Sequence, residues 1–308
     1  MSAGGTPQRL TRRFRGGASV VSLVYWLVRP SVFNMGRIPQ RVFLVGCPRS
    51  GTTLLQSMLA SHTSIMSFPE THVLSRLGWT NPLRRWSDRC RVDTERSLRR
   101  LFSELQHDVA FPETRRGSEW LTWFFEQLDE MTVQRGSQTW IEKTPRHLEY
   151  IPLLREHASE ARFIHMVRSG TNTIASLYST TRQHPDAWSG QKSIDECIDR
   201  WLHSIQLTDR WAFGPNHVVA HYRTLVNTPE RTLRRLCEFL DIEFCRNMLA
   251  GFQGEARRLV REQEVWKTDN FGPLRNKNDE KFFSCFTPEE RRYILGRLDE
   301  ADVPWPIQ

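Results

Sequence analysis

The sequence predicts an α/β fold: a single P-loop-type domain with a central parallel sheet flanked by helices, and a helical insertion. Three observations predict it. Short segments such as 41–45 and 162–167 are continuously apolar and β-branched, the pattern of strands buried on both faces. Each is followed by a segment that reads as a helix, which is the alternation of a parallel α/β fold. No Pro/Gly/Ser-rich linker divides the 308 residues, a length that one α/β domain accommodates.

The expected organisation is a leading segment over 1–40 and a main domain over 41–308, with the insertion at 79–139. In the leader, Arg9, Arg12, Arg13 and Arg15 precede an apolar run over 18–28 closed by Arg29 and Pro30. The run falls short of the ~20 residues a spanning helix needs, and no small-residue cleavage site follows it. It reads as a helix packed on the core or, more sharply, as a peripheral membrane contact through 9–28.

The first strand, 41–45, is Arg-Val-Phe-Leu-Val. A turn over 46–51, a helix over 52–60 and a short strand over 65–68 follow. Two helices, 94–108 and 118–132, are expected inside the insertion. A strand over 140–143 precedes a helix over 145–157, where Pro145 suits a first turn. The second strongly buried strand, 162–167, feeds a helix over 170–182. A long helix over 192–213 carries Trp201 and Trp211. A strand over 217–222 and a helix over 229–240 follow. The remainder reads as loop-rich and basic up to a last helix over 288–298.

Composition narrows the function. Hydrophobic residues at 39% exclude a disordered chain, and no apolar stretch is long enough for a polytopic membrane protein. The 43 Lys+Arg against 35 Asp+Glu leave a charge of +8, which predicts an anionic partner. A nucleic-acid binder would need a recognition motif or stacking platform, and the sequence has neither, so no nucleic-acid partner is expected. The six Cys lack C-x-x-C or zinc spacing and read as reduced thiols. With no N-x-S/T acceptor, the expectation is a cytoplasmic chain, membrane-associated only through 9–28.

Gly46-Cys47-Pro48-Arg49-Ser50-Gly51-Thr52-Thr53 has G-x-x-x-x-G spacing between a strand and a helix. Such a loop aims backbone N–H groups and a helix N-terminus at an anion. It departs from a nucleotide-triphosphatase loop, which has Lys after the second Gly where this chain has Thr52. The loop's cation is Arg49 instead. The strand at 162–167 ends in Arg168, where a magnesium-dependent enzyme wants a carboxylate. The pattern suits a donor neutralised by side chains, with no metal. A P-loop kinase or NTPase is the alternative.

From Cys47 to Leu55 the loop resembles the 5′-phosphosulfate loop of sulfotransferases that use 3′-phosphoadenosine 5′-phosphosulfate (PAPS). Residues 161–176 resemble their 3′-phosphate segment, an Arg at a strand end and a Ser on the following helix. The nearest resemblance is to tyrosylprotein-type sulfotransferases. It implies a donor site made of Pro48, Arg49, Ser50, Gly51, Thr52 and Thr53, with Arg168 and Ser176 on the 3′-phosphate. The stretch around Tyr222 resembles Y-E-x-L-V-x-x-P-E, which implies a nucleotide contact at the adenine for Tyr222; Arg223 replaces the Glu.

The same resemblance implies the chemistry. Ile141-Glu142-Lys143-Thr144-Pro145 resembles an N-K-x-P stretch, giving Lys143 the transferring group and leaving oxygen, a role a compact ammonium suits. Phe68-Pro69-Glu70-Thr71-His72 resembles a G-E-E-T-R stretch, which makes Glu70 the general base. His72 stands where Arg is usual and is the alternative base; Arg76 is a further match. Residues 265–277 sit where the family has a basic loop over the 3′-phosphate, with Lys267, Arg275 and Lys277 as candidates. The insertion is expected on the acceptor side. It holds Trp79, Trp86, Trp120, Trp123, Phe124 and Phe125. It also holds Arg84, Arg85, Arg89, Arg91, Arg96, Arg99 and Arg100 against Asp88, Asp93 and Glu95, which suggests an acidic acceptor. The expected reaction is sulfuryl transfer from PAPS to an acceptor hydroxyl. Protein tyrosine, glycan, lipid and small metabolite stay open as acceptors, as does the oligomeric state.

Overall fold

Val42, Phe43, Leu44 and Val45 are almost wholly shielded from water because β1 (Gln40–Gly46) is the middle strand of a sheet covered on both faces. A computed structural model describes residues 38–77, 88–114, 116–274, 279–301 and 305, with no side chains for 88–90. The segment 9–28 lies outside the described residues, as do Trp79, Arg84, Arg85, Trp86, Arg275 and Lys277. The other strands are β2 (Ile65–Ser67), β3 (Thr139–Glu142), β4 (Arg162–Val167) and β5 (His217–His221). The order is β2-β3-β1-β4-β5, and every pairing is parallel. β2 and β3 lie to one side of β1, β4 and β5 to the other. The carboxyl end of β1 is therefore the crevice where such folds bind ligands.

The helices are α1 (Thr52–Ala60), α2 (Val73–Arg76), α3 (Asp88–Glu104), α4 (Gly117–Gln134), α5 (Ile151–His157), α6 (Gly170–Gln183) and α7 (Ile194–Trp211). Then come α8 (Tyr222–Asn227), α9 (Pro229–Leu240), α10 (Asn247–Ala250), α11 (Phe252–Leu259), α12 (Glu280–Cys285) and α13 (Pro288–Asp299). Alternate β1 side chains serve opposite layers. Phe43 stacks on Phe163 at 5.6 Å and meets Phe125 of α4 and Trp140 of β3 edge-on at 5.7 and 5.4 Å. Trp120 and Phe124 share this core, so these α4 aromatics are packing residues. Val42 and Leu44 face the other way, onto Leu54, Leu55 and Met58 of α1 with Leu233 and Leu236 of α9. A third cluster packs α6 and α7 through Ile174, Leu177, Ile198 and Trp201.

Three stretches depart from expectation. The single helix over 145–157 is a 3-10 turn, Pro145–Tyr150, followed by α5. Pro152 lacks an N–H for the carbonyl four residues back and its ring crowds that carbonyl, so one continuous helix cannot form. The loop-rich 241–287 contains α10, α11, a 3-10 segment Val265–Phe271 and α12. These pieces are too short for periodicity to stand out and depend on tertiary packing. Finally, α3 begins before 94 and ends before 108. Its Arg96, Arg99 and Arg100 bond Asp93, Glu95 and Glu104 on the same helix. Among the described residues no helix is long and apolar enough to cross a membrane. Cys47, Cys197, Cys237, Cys245 and Cys285 are free thiols.

Candidate active site

The loop after β1 is held by backbone geometry. Gly46 has φ 152, and a Cβ there would lie 2.4 Å from the Met166 carbonyl oxygen of β4. Gly51, at φ 98, would collide with the Tyr222 ring at 2.4 Å. Both positions therefore require glycine. Arg49 itself adopts φ 74, a left-handed conformation rare for arginine and frequent where a site dictates it. Gly51 caps α1 with no side-chain hydrogen bond. The first N–H groups of α1 thus face the cavity with the positive end of the helix dipole. Ser50 Oγ is buried and has no partner among the described residues.

Two guanidiniums converge on this loop. Arg49 donates from Nε to Ser176 Oγ of α6 at 3.2 Å and from Nη2 to the Trp266 carbonyl at 3.0 Å. Arg168, just past β4, reaches the Arg49 carbonyl at 3.5 Å and lies 4.3 Å over the Tyr222 ring. Its Nε is buried without a partner among the described residues. Burial, then repulsion from Arg168, pushes Arg49 down to about 10, and burial lowers Arg168 as well. Crowded cations with a spare buried donor are relieved by an anion. Lys281 and Ser284 of α12 line the same space.

Next to the loop stands a carboxylate held by three bases. Glu70 Oε1 accepts from Lys143 Nζ and, at 2.7 Å, from Lys267 Nζ. Its Oε2 is 3.2 Å from His72 Nε2. Burial alone would raise the Glu70 pKa. Lys143, Lys267 and His72 together outweigh that and hold it well below the carboxylate range. Lys143 is fully buried, also bonds Thr53 Oγ1 at 3.3 Å, and is pushed down to about 8 by burial against the pull of Glu70. Lys267 has a second partner in Glu264. Burial would lower it, but Glu70 and Glu264 raise it above the ordinary lysine value.

A second buried carboxylate sets this geometry. Glu142 ends β3, one residue before Lys143. It accepts from Thr71 Oγ1 at 2.8 Å, Thr144 Oγ1 at 2.6 Å and His147 Nδ1 at 2.8 Å. The Thr144 hydroxyl also accepts from the backbone N–H groups of Thr71 and His72. The network ties the Glu70 loop to the strand that carries Lys143. Burial raises the Glu142 pKa, but its hydrogen bonds and His147 bring it below the ordinary value. Among the described residues, no group of His, Cys, Asp or Glu is arranged to hold a metal ion.

All of this borders a cavity of about 1090 Å³, enough for a nucleotide and part of a second substrate. Of the residues expected from sequence, Pro48, Arg49, Gly51, Thr52, Thr53, Glu70, His72, Arg168, Ser176, Tyr222 and Lys267 line it. Ser50 is buried within the loop, and Lys143 is buried and bonded to Thr53. Tyr222 is the first residue of α8, not the last of β5. Lys267 pairs with Glu70 and Glu264, and the carbonyl of Trp266 before it accepts from Arg49. Arg76, on α2, faces Arg261 and Asp93 and is not among the lining residues, nor are the α3 arginines. Further lining comes from residues sequence reasoning missed. Trp188 and Trp266 stand edge-on at 6.0 Å, with His184 5.4 Å from Trp266. Arg146, Lys192 and Arg200 add charge. No spacing connects these positions, so no local signal could have found them.

Residues 39–246 match the sulfotransferase family model. A protein-tyrosine sulfotransferase of Drosophila melanogaster is 27% identical over 221 residues, 68% of this chain and 40% of that protein. Protein-tyrosine sulfotransferase 1 of Danio rerio is 28% identical over 205 residues, 65% of this chain and 53% of that protein. The chain thus spans about half the length of these relatives or less. In structure it is similar to the sulfotransferase domain of the Synechococcus PCC 7002 olefin synthase, with TM-score 0.56, 20% identity and coverage of 84% and 94%. It is also similar to a mouse sulfotransferase complexed with PAP, with TM-score 0.51, 14% identity and coverage of 85% and 84%. These likenesses establish the fold.

Proposed function

The chain belongs to the sulfotransferase family, and we propose that it transfers the sulfuryl group of PAPS to an acceptor hydroxyl. The observation that carries this reading is the Glu70–Lys143 pair, joined to the glycine loop's helix through Thr53 and lining the cavity at Glu70. In this reading the 5′-phosphosulfate rests on the N–H groups of 48–53, and Arg168 and Ser176 hold the 3′-phosphate. The structural neighbour complexed with PAP supports that choice of donor. Glu70 takes the acceptor proton, and the oxygen attacks sulfur in line. Lys143 and Arg49 stabilise the charge growing on the sulfuryl oxygens and the leaving phosphate.

For the acceptor we propose a phenolic hydroxyl, a tyrosine side chain. The names of the relatives suggest it, and an aromatic wall of Trp188 and Trp266 flanked by Arg146 and Lys192 suits it. One observation favours a second reading of the base. His72 is more exposed than Glu70, lines the cavity and faces Oε2, so Glu70 can instead orient His72 as the proton acceptor. Phosphoryl transfer is disfavoured by Thr52 at the lysine position and by Arg168 at the end of β4.

Incubation with ³⁵S-labelled PAPS and a panel of tyrosine peptides, glycans and small phenols tests the proposal. Label is expected in the tyrosine peptides and phenols, undiminished by excess EDTA. Label only in glycans would overturn the acceptor. ATP hydrolysis restored by Mg²⁺, with no label transferred, would overturn the reaction.

A further inference from the structure

Glu70 carries one cation more than the transfer reaction asks of it. Lys143 joins the base to the donor loop, since it bonds both Glu70 and Thr53 Oγ1. Lys267 joins the base to Glu264. Its position is set independently of Lys143. The 3-10 segment Val265–Phe271 is tied to the donor loop through the Trp266 carbonyl, which accepts from Arg49 at 3.0 Å. Two lysines share one carboxylate oxygen, and Lys143 is the one of the two bonded to Thr53.

We propose that Lys267 is the resident counter-ion of Glu70, a positioning residue that keeps the carboxylate ionised and in place while Lys143 turns to the donor. The proposal rests on the reading of Glu70 as base and Lys143 as the donor's lysine. A buried carboxylate that loses its cation takes up a proton instead, and a protonated Glu70 accepts none from the substrate. Lys143 cannot serve the leaving phosphate and remain Glu70's only partner. Lys267 removes the conflict. The other groups facing the carboxylate are His72 on Oε2, Arg49, whose charge interacts with Glu70 across the loop, and Arg261, 3.5 Å from the Glu70 carbonyl.

The charges balance through the step. The acceptor O–H proton passes to Glu70 as the acceptor O–S bond forms and the bond from sulfur to the 5′-phosphate breaks, releasing PAP. Glu70 becomes neutral, and Lys267 stays compensated by Glu264. Lys143 is then opposite the phosphate that has gained charge.

The test reads Glu70 directly, by ¹³C NMR of protein labelled at the glutamate carboxyl, with the signal identified by its loss in Glu70→Gln. Titrations are run with and without saturating PAP. Wild-type Glu70 is expected to stay ionised at neutral pH in both states. In Lys143→Met it is expected to stay ionised, with Lys267 as its remaining lysine partner. In Lys267→Met its midpoint is expected to rise by about one pH unit or more when PAP is added, and Lys267→Arg is expected to behave as wild type. Turnover of Lys267→Met is expected to fall about tenfold or more, with donor KM little changed.

A protonated Glu70 at pH 7 in Lys143→Met overturns the proposal, as does a Lys267→Met titration that PAP leaves unmoved. If Lys267→Met does not fold, the Lys143→Met titration decides. Failure of wild type to bind PAP removes the donor reading and this proposal together. The expected titrations beside a normally active Glu70→Gln would support the counter-ion and overturn only the base.

Discussion

At the wall we propose for the donor the chain places Gly46, Arg49 and Gly51 in backbone conformations that few side chains or neighbours allow. At the wall we propose for the acceptor the same cavity is lined by His72, Trp188, Trp266 and Lys267, drawn from three separate segments. The donor wall is main chain, fixed by a strand, a turn and a helix start that are consecutive in sequence. The acceptor wall is side chains held by one another across long separations. The difference teaches which substitutions act locally and which act at a distance. In the proposed reading, a donor-side change is expected to remove one contact to the nucleotide, and an acceptor-side change to alter the electrostatics of the base.

The sharpest way to break this contrast is at the base itself. Glu70→Gln keeps size and removes basicity. Turnover is expected to fall on the order of 10²–10⁴-fold, with PAP affinity nearly unchanged. His72→Asn should cost less. An inactive His72→Asn beside a working Glu70→Gln, in single-turnover assays, would move proton abstraction to the imidazole.

Next in size is Glu142, which is not among the lining residues but accepts from Thr71, Thr144 and His147. Glu142→Gln should loosen the fit between the Glu70 loop and Lys143 and lower kcat by up to about 10²-fold. PAP affinity, measured by calorimetry, should hold. A loss of PAP affinity as large as the loss of kcat would mean that the two walls are not separable.

Lys143 supplies a pH dependence. In the proposed mechanism it acts as a cation, and burial brings it down to about 8. Raising the pH through that value removes its proton, so kcat/KM should decline above about 8 in the donor-free enzyme. Lys143→Arg should move that limb upward, whatever its effect on the maximum rate. A limb that stays in place in Lys143→Arg would assign it to another group.

The donor wall was legible because its signals are local. The Gly46–Gly51 spacing, the strand before it and the helix after it lie within one short stretch, and Arg168 and Ser176 within another. Steric demands on a turn are written where the turn is. Glu70 and Lys143 were legible only through resemblance, since nothing in their own segments says that they meet. The role of Lys267 was not legible. It lies 197 residues from Glu70, in a short 3-10 segment without periodicity. Pro152 is the reverse case, a visible residue whose power to split a helix was underweighted.

The smallest expected effect lies beneath the donor wall. His165 of β4 is fully buried against His217 Nδ1 at 2.9 Å, and burial pushes it from 6.5 to about 3. The unfolded chain therefore binds the proton first. Stability contributed by the neutral imidazole is complete above 6.5 and is lost as the pH falls toward 3. The loss is at most about 1.4 kcal/mol per pH unit. Urea midpoints should fall from pH 7 to pH 5, and His165→Gln should flatten that slope. An equal slope in the variant would place the proton uptake elsewhere.

The central claim is that the donor wall reads a nucleotide with a 3′-phosphate. Titration calorimetry of the chain with PAP and with 5′-AMP, each also against Arg168→Ala, tests it most directly. PAP is expected to bind far more tightly than 5′-AMP. Arg168→Ala should remove ~2–5 kcal/mol of PAP binding, the usual cost of deleting one partner of a buried charge pair, and leave 5′-AMP nearly unaffected. Equal affinity for the two nucleotides, or an Arg168→Ala variant that weakens both alike, would contradict it.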